Sequence, residues 1–252
     1  MPNGRIAGYA DLTDQAAHRS FWIDVRVPPG EHHDALAGAL LDALEARARE
    51  AAVADAVLKL SVPSVYEPIV PLLENRSFEL SRHSFRMEAE LDTAPEAPDW
   101  PNGVTVRSFV PGSDDEAVYR AHQESFADQF EFVPEPYEDW RVWAFHEPFD
   151  PDLWLLAVAG DEIVGVCLCR SEWQGDSTMG WVSVLGVRNS WRRKGLGRAL
   201  LLQAFAELRA HGKRTVGLGV DGLNPTGAVR LYERAGMRVA RRNDQYRKPL
   251  SS

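Results

Sequence analysis

Residues 181–210 read WVSVLGVRNSWRRKGLGRALLLQAFAELRA. The apolar run 181–187 is rich in valine and far shorter than the ~18 residues that span a membrane, so it predicts a buried strand. A polar turn leads into Arg192-Arg193-Lys194-Gly195-Leu196-Gly197. Apolar residues then recur at Leu196, Ala199, Leu200, Leu202, Ala204, Phe205 and Leu208, as on a helix packed along one side. A helix start has free N–H groups and the positive end of the helix dipole. Glycine at 195 and 197 keeps side chains from standing between those N–H groups and an anion. Arg192, Arg193, Lys194 and Arg198 place four positive charges within seven residues of a chain whose net charge is -9. The pattern predicts a diphosphate site.

Two familiar phosphate loops do not fit. The Walker pattern ends in Gly-Lys-Ser/Thr, which is missing, and the dinucleotide pattern needs a third glycine after Gly195 and Gly197. What remains is Arg-x-x-Gly-x-Gly following a strand that contains Leu185, Gly186 and Val187. This resembles motif A of the GCN5-related N-acetyltransferase (GNAT) family. A second stretch, NPTGAVRLYERAGM at 224–237, resembles motif B of the same family. There Asn224 reads as an N-cap, Pro225 as the first helical residue and Gly236 as the C-terminal stop, with Ala228, Leu231 and Tyr232 on one face. The strand 215–220 precedes it. The resemblance covers roughly residues 104–250.

The resemblance implies an α/β chain with the GNAT fold, a mixed central sheet flanked by helices. It implies acetyl-CoA as co-substrate, with no metal. The backbone at Leu185, Gly186 and Val187 would orient the thioester. Arg192, Arg193, Lys194, Gly195, Leu196, Gly197, Arg198 and Asn224 would hold the coenzyme. Tyr232 matches the family's general-acid tyrosine. The implied reaction is direct acetyl transfer to a primary amine of a small molecule. Deprotonating a lysine-like ammonium at neutral pH costs about 4.6 kcal/mol, so a base is wanted. Many relatives carry a glutamate early in the organising strand, where this chain has Trp181. Glu124 and Glu172 are the candidates instead, with Trp181, Phe126 and Trp143 shaping the acceptor pocket. An acyl-CoA sensor without turnover, or a partner-recruiting protein, are the other readings; intact Tyr232 and Asn224 favour the enzyme.

Upstream of the motifs, 104–109 reads as a strand, 114–128 and 137–145 as helices, and 154–159 with 163–169 as a hairpin turning at Gly160-Asp161-Glu162. The segment 112–152 carries twelve acidic residues against two arginines. That is either a solvated helix face or a pocket that attracts cationic amines.

The first ninety residues align with the last seventy. Phe21 to Val27 falls on the organising strand, and Ala39-Leu40-Leu41 falls on Ala199-Leu200-Leu201 without a gap. Residues 66–78 fall near 227–237. This predicts an internal duplication, with a truncated, degenerate GNAT-like repeat at 1–92, a Pro-rich linker at 93–103 and the active domain at 104–252. The first copy has His32-His33-Asp34-Ala35-Leu36-Ala37 where the second has its glycines and bases, and Leu73 where the second has Tyr232. Residues 5–12 read as one hairpin strand, leaving no room for the family's earlier strand and helices. Phe126-Ala127-Asp128 and the two-copy plan are reminiscent of the mycothiol synthase branch; the short first copy departs from it, so no substrate is carried over.

Nothing N-terminal reads as a secretory leader, and no apolar run is long enough to cross a membrane. The two cysteines, Cys167 and Cys169, read as buried free thiols in a reducing cytoplasm. His32-His33 is too isolated a pair for a metal site, and the acidic balance argues against nucleic acid. Oligomeric state is left open.

Overall fold

The computed structural model describes residues 6–130, 132–224 and 226–250. They divide into two compact units, 6–84 with 241–250, and 85–240. The Pro-rich segment 93–103 therefore lies inside the larger unit. It is tied down there, because Arg198 Nη2 donates to Glu96 Oε2 at 2.6 Å and Trp100 packs on a core cluster.

In the smaller unit β1 (Tyr9–Gln15) pairs antiparallel with β2 (Ser20–Arg26). The strand expected at 5–12 is thus shifted, and Arg5 lies outside the described residues. Helix α1 (His33–Ala51) connects β2 to the parallel strand β3 (Val57–Pro63). Residues of α1 at Leu41 and Ala48 bury against Phe21 and Ile23 of β2 and against Leu58, Leu60 and Val62 of β3, whose period-two spacing places them on one face. A short helix, α2 (Val70–Glu74), adds Leu73. The long strands β4 (Glu79–Glu90) and, last in the chain, β10 (Arg238–Pro249) carry the chain across the unit boundary.

The larger unit continues with β5 (Val104–Ser108), α3 (Asp115–Phe126), α4 (Tyr137–Ala144), β6 (Trp154–Ala159), β7 (Glu162–Arg170), β8 (Met179–Val187), α5 (Leu196–Ala210), β9 (Thr215–Asp221) and α6 (Ala228–Arg234). Its strands lie in the order β4-β9-β8-β7-β6-β5. β5 to β8 form an antiparallel run, and β8 and β9 are parallel. Helix α5 covers one face through Leu196, Leu200 and Leu208; α3 and α4 cover the other through Val118, Ala121 and Trp140. The strands feed both cores alternately. On β7, Cys167 and Cys169 face α5 while Val166 and Leu168 face α3 and α4.

On β8 the alternation breaks. Val182 packs with α5, yet Val184, two residues on, packs with α3 and α4. The β7–β8 register explains it: Cys169 pairs with Val182 and Leu168 with Val184, so Ser183 is an extra, unpaired residue.

The α3–α4 face contains a half-buried histidine. Trp140 Nε1–H donates to His122 Nδ1 at 3.1 Å, and Phe126 and Trp143 stand edge-on to the same ring. An accepting Nδ1 carries no proton, so the neutral ring has its hydrogen on Nε2. Burial pushes the His122 pKa down to about 4. In the unfolded chain the group titrates near the ordinary ~6.5, so the unfolded state binds the proton first as pH falls. Stability is full above about pH 6.5 and is lost progressively down to about pH 4, by about 3 kcal/mol. Urea unfolding between these pH values is expected to show that loss, and His122→Gln, which keeps an acceptor without titrating, is expected to flatten it. An equally steep profile in the variant would assign the acid limb to other groups.

Candidate active site

β8 and β9 pair only over 179–182 and 215–218. Beyond the bulge at Ser183 they part, and a cavity of about 740 Å³ opens between them. Ser183, Leu185 and Val187 of β8 line it, with Leu218 and Val220 of β9, Phe126 at the end of α3, the turn before α5, and α6.

That turn forms the helix start anticipated from the glycines. Gly195 is the N-cap of α5 at φ 86, a left-handed conformation that glycine adopts without a Cβ clash. Arg193 shares the left-handed region at φ 61. Ala199 N–H returns to Gly195 O at 3.1 Å, and the N–H groups of 195–198 have no acceptor among the described residues. A Cβ on Gly195 would meet no atom within 4 Å, so it is the left-handed backbone and not packing that favours glycine there, and residues 195–198 all line the cavity. Gly197 has an added duty: a Cβ there would stand 3.2 Å from the Leu231 side chain, so its absence lets α6 close on α5. Gly186 plays the same part toward α3, where a Cβ would lie 2.9 Å from Ser125 Cβ.

The four bases of the loop do not act alike. Arg192 is spent on the protein: Nε donates to Val187 O at 3.2 Å, Nη2 to Ser125 O at 2.8 Å, and the guanidinium pairs with Asp128. Its hydrogen bond holds the Asp128 carboxyl below the usual range. This fastens the end of α3 to the loop. Arg198 is held by Glu96, and Lys194 sits 4.6 Å over the Trp191 ring. Arg193 is exposed and lines the cavity. So do Arg230 and Arg234 of α6, which sequence reasoning did not single out.

Motif B differs from expectation at its start. Helix α6 begins at Ala228, with Gly227 at φ 77 as its N-cap, rather than at Asn224. Asn224 Oδ1 instead accepts from Thr226 N–H at 2.9 Å and Thr226 Oγ1 at 2.5 Å, capping a turn and not the helix. Pro225 lies outside the described residues. The end matches: Met237 N–H bonds Tyr232 O, Gly236 N–H bonds Glu233 O, both at 3.0 Å, and Gly236 has φ 91, a Schellman stop.

Tyr232 lines the cavity with its ring in the α5-side core. Burial, and secondarily Cys167, raise its pKa well above the ordinary tyrosine value. Its hydroxyl has no hydrogen-bond partner among the described residues. Glu124 and Glu172 are not among the residues lining the cavity. Glu124 Oε2 is 3.3 Å from Arg188 Nη1, and Glu172 lies in the loop after β7. Trp181 is stacked 3.7 Å from Trp173 and lies over Gly217, where a Cβ would be 2.7 Å from its ring. Trp143 belongs to the His122 cluster and donates from Nε1 to Glu135 at 2.7 Å.

Residues 116–237 match the acetyltransferase (GNAT) family. The chain is 32% identical to a mycothiol acetyltransferase of Actinosynnema mirum across 97% of its own length and 80% of that protein's. It is 32% identical to another, from Geodermatophilus obscurus, across 93% of this chain and 76% of that one. A GCN5-related N-acetyltransferase from Sphaerobacter thermophilus, 34% identical, matches with a TM-score of 0.86 over 100% of this chain and 79% of its own. A tandem GNAT protein from the clavulanic acid biosynthesis pathway matches at TM-score 0.77 over 100% of this chain and 82% of its own, with 15% identity, a likeness of fold alone. This chain belongs to the GNAT family and is an N-acetyltransferase. Family members use acetyl-CoA as co-substrate. Among the described residues no helix is long and apolar enough to cross a membrane.

Proposed function

We propose that the chain transfers the acetyl group of acetyl-CoA to a primary amine of a small molecule, by direct attack in the cavity between β8 and β9. The observation that carries this reading is one cavity lined both by the open N–H cradle before α5 and by Tyr232 with its unpartnered hydroxyl. The donors of 195–198 suit the diphosphate. The parted edge of β8 from Ser183 to Val187 offers backbone groups to the pantetheine and thioester. The amine nitrogen attacks the carbonyl carbon, the carbon–sulfur bond breaks, and the thiolate takes the Tyr232 proton. The proton released by the amine goes to solvent or a base, and the tyrosinate regains one from water.

The cavity-lining carboxylates among the described residues are Asp128, bound to Arg192, and Asp221. With Glu124 and Glu172 off the lining, the reading favours an acceptor whose amine is neutral near physiological pH over a lysine-like ammonium. The relatives' name puts mycothiol-related amines first in the panel. The smaller unit supports a single coenzyme per chain, since 33–36, which align with 193–196, are already helical in α1, and His33 there is buried against Asp34 and Tyr66.

A thiol-release assay over amines of graded pKa, with mass detection of the product, tests the reading. Turnover is expected with low-pKa amines. Glu124→Gln and Glu172→Gln are expected to leave the acid limb of the rate profile in place, and loss of that limb in either would identify the base. A titration is expected to return one acetyl-CoA per chain. Two equivalent sites, or no acetylated product with any amine, would overturn the proposal.

A further inference from the structure

Three arginines that line the cavity are left without a partner among the described residues, and two of them, Arg230 and Arg234, have no assigned task. Arg193, Arg230 and Arg234 are exposed, line the same cavity, and make no ion pair or hydrogen bond among the described residues. The neighbouring cations are occupied: Arg192 by Asp128, Arg198 by Glu96, Lys194 by the Trp191 ring. Arg230 and Arg234 are four residues apart on α6, a spacing at which like charges repel and weaken a helix. In a chain with 37 acidic residues, leaving both without a carboxylate is a cost with no return in the free protein.

Coenzyme A supplies a return. Besides its diphosphate it bears a 3′-phosphate on the ribose, a monoester of charge about −1.5 to −2 at pH 7 with three acceptor oxygens. The N–H cradle of 195–198 accounts for the diphosphate and leaves the monoester unmatched. Guanidinium is the group whose planar fork suits phosphate oxygens two at a time.

We propose that Arg230 and Arg234, together with Arg193, form a phosphomonoester subsite that takes the ribose 3′-phosphate and makes the protein discriminate acetyl-CoA from its 3′-dephospho form. This rests on the coenzyme reading of the cavity. It adds a specificity that the diphosphate cradle does not supply, because the two forms share the diphosphate, pantetheine and thioester.

The test is calorimetry on the full chain with acetyl-CoA and 3′-dephospho-acetyl-CoA, at low and at high salt. The wild type is expected to bind the dephospho form at least tenfold more weakly, with the ratio shrinking as salt rises. The Arg230→Gln/Arg234→Gln double variant is expected to lose most of that ratio: its affinity for acetyl-CoA falls toward that of the dephospho form, whose own affinity changes less than twofold. Both residues are exposed and glutamine is a good helix former, so circular dichroism is expected to be unchanged. Equal affinity of the wild type for the two forms would overturn the subsite and leave the coenzyme reading standing. So would a double variant that weakens both ligands by one factor. A wild type that binds neither form would overturn both.

Discussion

Tyr232→Phe is expected to lower kcat about a hundredfold while acetyl-CoA affinity stays within twofold. The magnitude is that of losing a general acid, and the kcat-against-binding split marks a group that acts in the transition state only. The variant is clean because the hydroxyl makes no hydrogen bond among the described residues, whereas the ring is packed in the core with the α5 residues. Phenylalanine keeps that packing, so thermal stability should hold. Burial also sets the pH dependence. A phenol with a raised pKa stays protonated well past the ordinary ~10, so the wild-type rate should show no alkaline limb from Tyr232 below that pH. An exposed tyrosine in the same role would lose its proton, and the rate, near pH 10. Full activity in Tyr232→Phe with the same acceptor would make the residue structural and assign thiolate protonation to solvent.

The parts of this site that were legible in the sequence are those written within a few consecutive residues. The strand, Gly195 and helix α5 follow one another directly, and local sterics fix their conformation. Tyr232 was legible through the stretch around it. What was not legible depends on distant partners. Arg192 and Asp128 are 64 positions apart, and Arg198 and Glu96 are 102 apart, so four bases in the sequence become fewer free charges in the fold. The same holds in reverse for Arg230 and Arg234, whose lack of carboxylate partners is a property of the surroundings. Ser183 was a single polar residue in an apolar run. Only the pairing of β8 with β7 shows that it is the bulge after which β8 and β9 part. The start of α6 was misplaced because Asn224 and Pro225 have cap-like identities, while Gly227 in a left-handed conformation delays the helix. His122 gave no signal, since neither its burial nor its Trp140 partner is local.

Gly195→Asp is expected to abolish measurable acetyl-CoA binding without unfolding the protein. Two properties of the position separate these effects. Gly195 is the N-cap of α5, and aspartate is among the best N-cap residues, because its carboxylate accepts from the N–H groups two or three positions on. It also suits the positive end of the helix dipole. The left-handed backbone at φ 86 opposes any side chain, but aspartate tolerates that region better than most residues. Capping and strain are each about 1 kcal/mol and of opposite sign, so the melting temperature should change little. For the ligand both changes act in one direction. The new carboxylate takes the N–H donors of Gly197 or Arg198 and sets a negative charge where the diphosphate approaches. Gly195→Ala carries the strain without the charge and is expected to weaken binding far less. Arg193→Ala, which removes one exposed cation and no backbone donor, is expected to cost about tenfold or less, up to about 1.4 kcal/mol. Calorimetry on the three variants orders them, and an unchanged acetyl-CoA affinity in Gly195→Asp would move the diphosphate away from the start of α5.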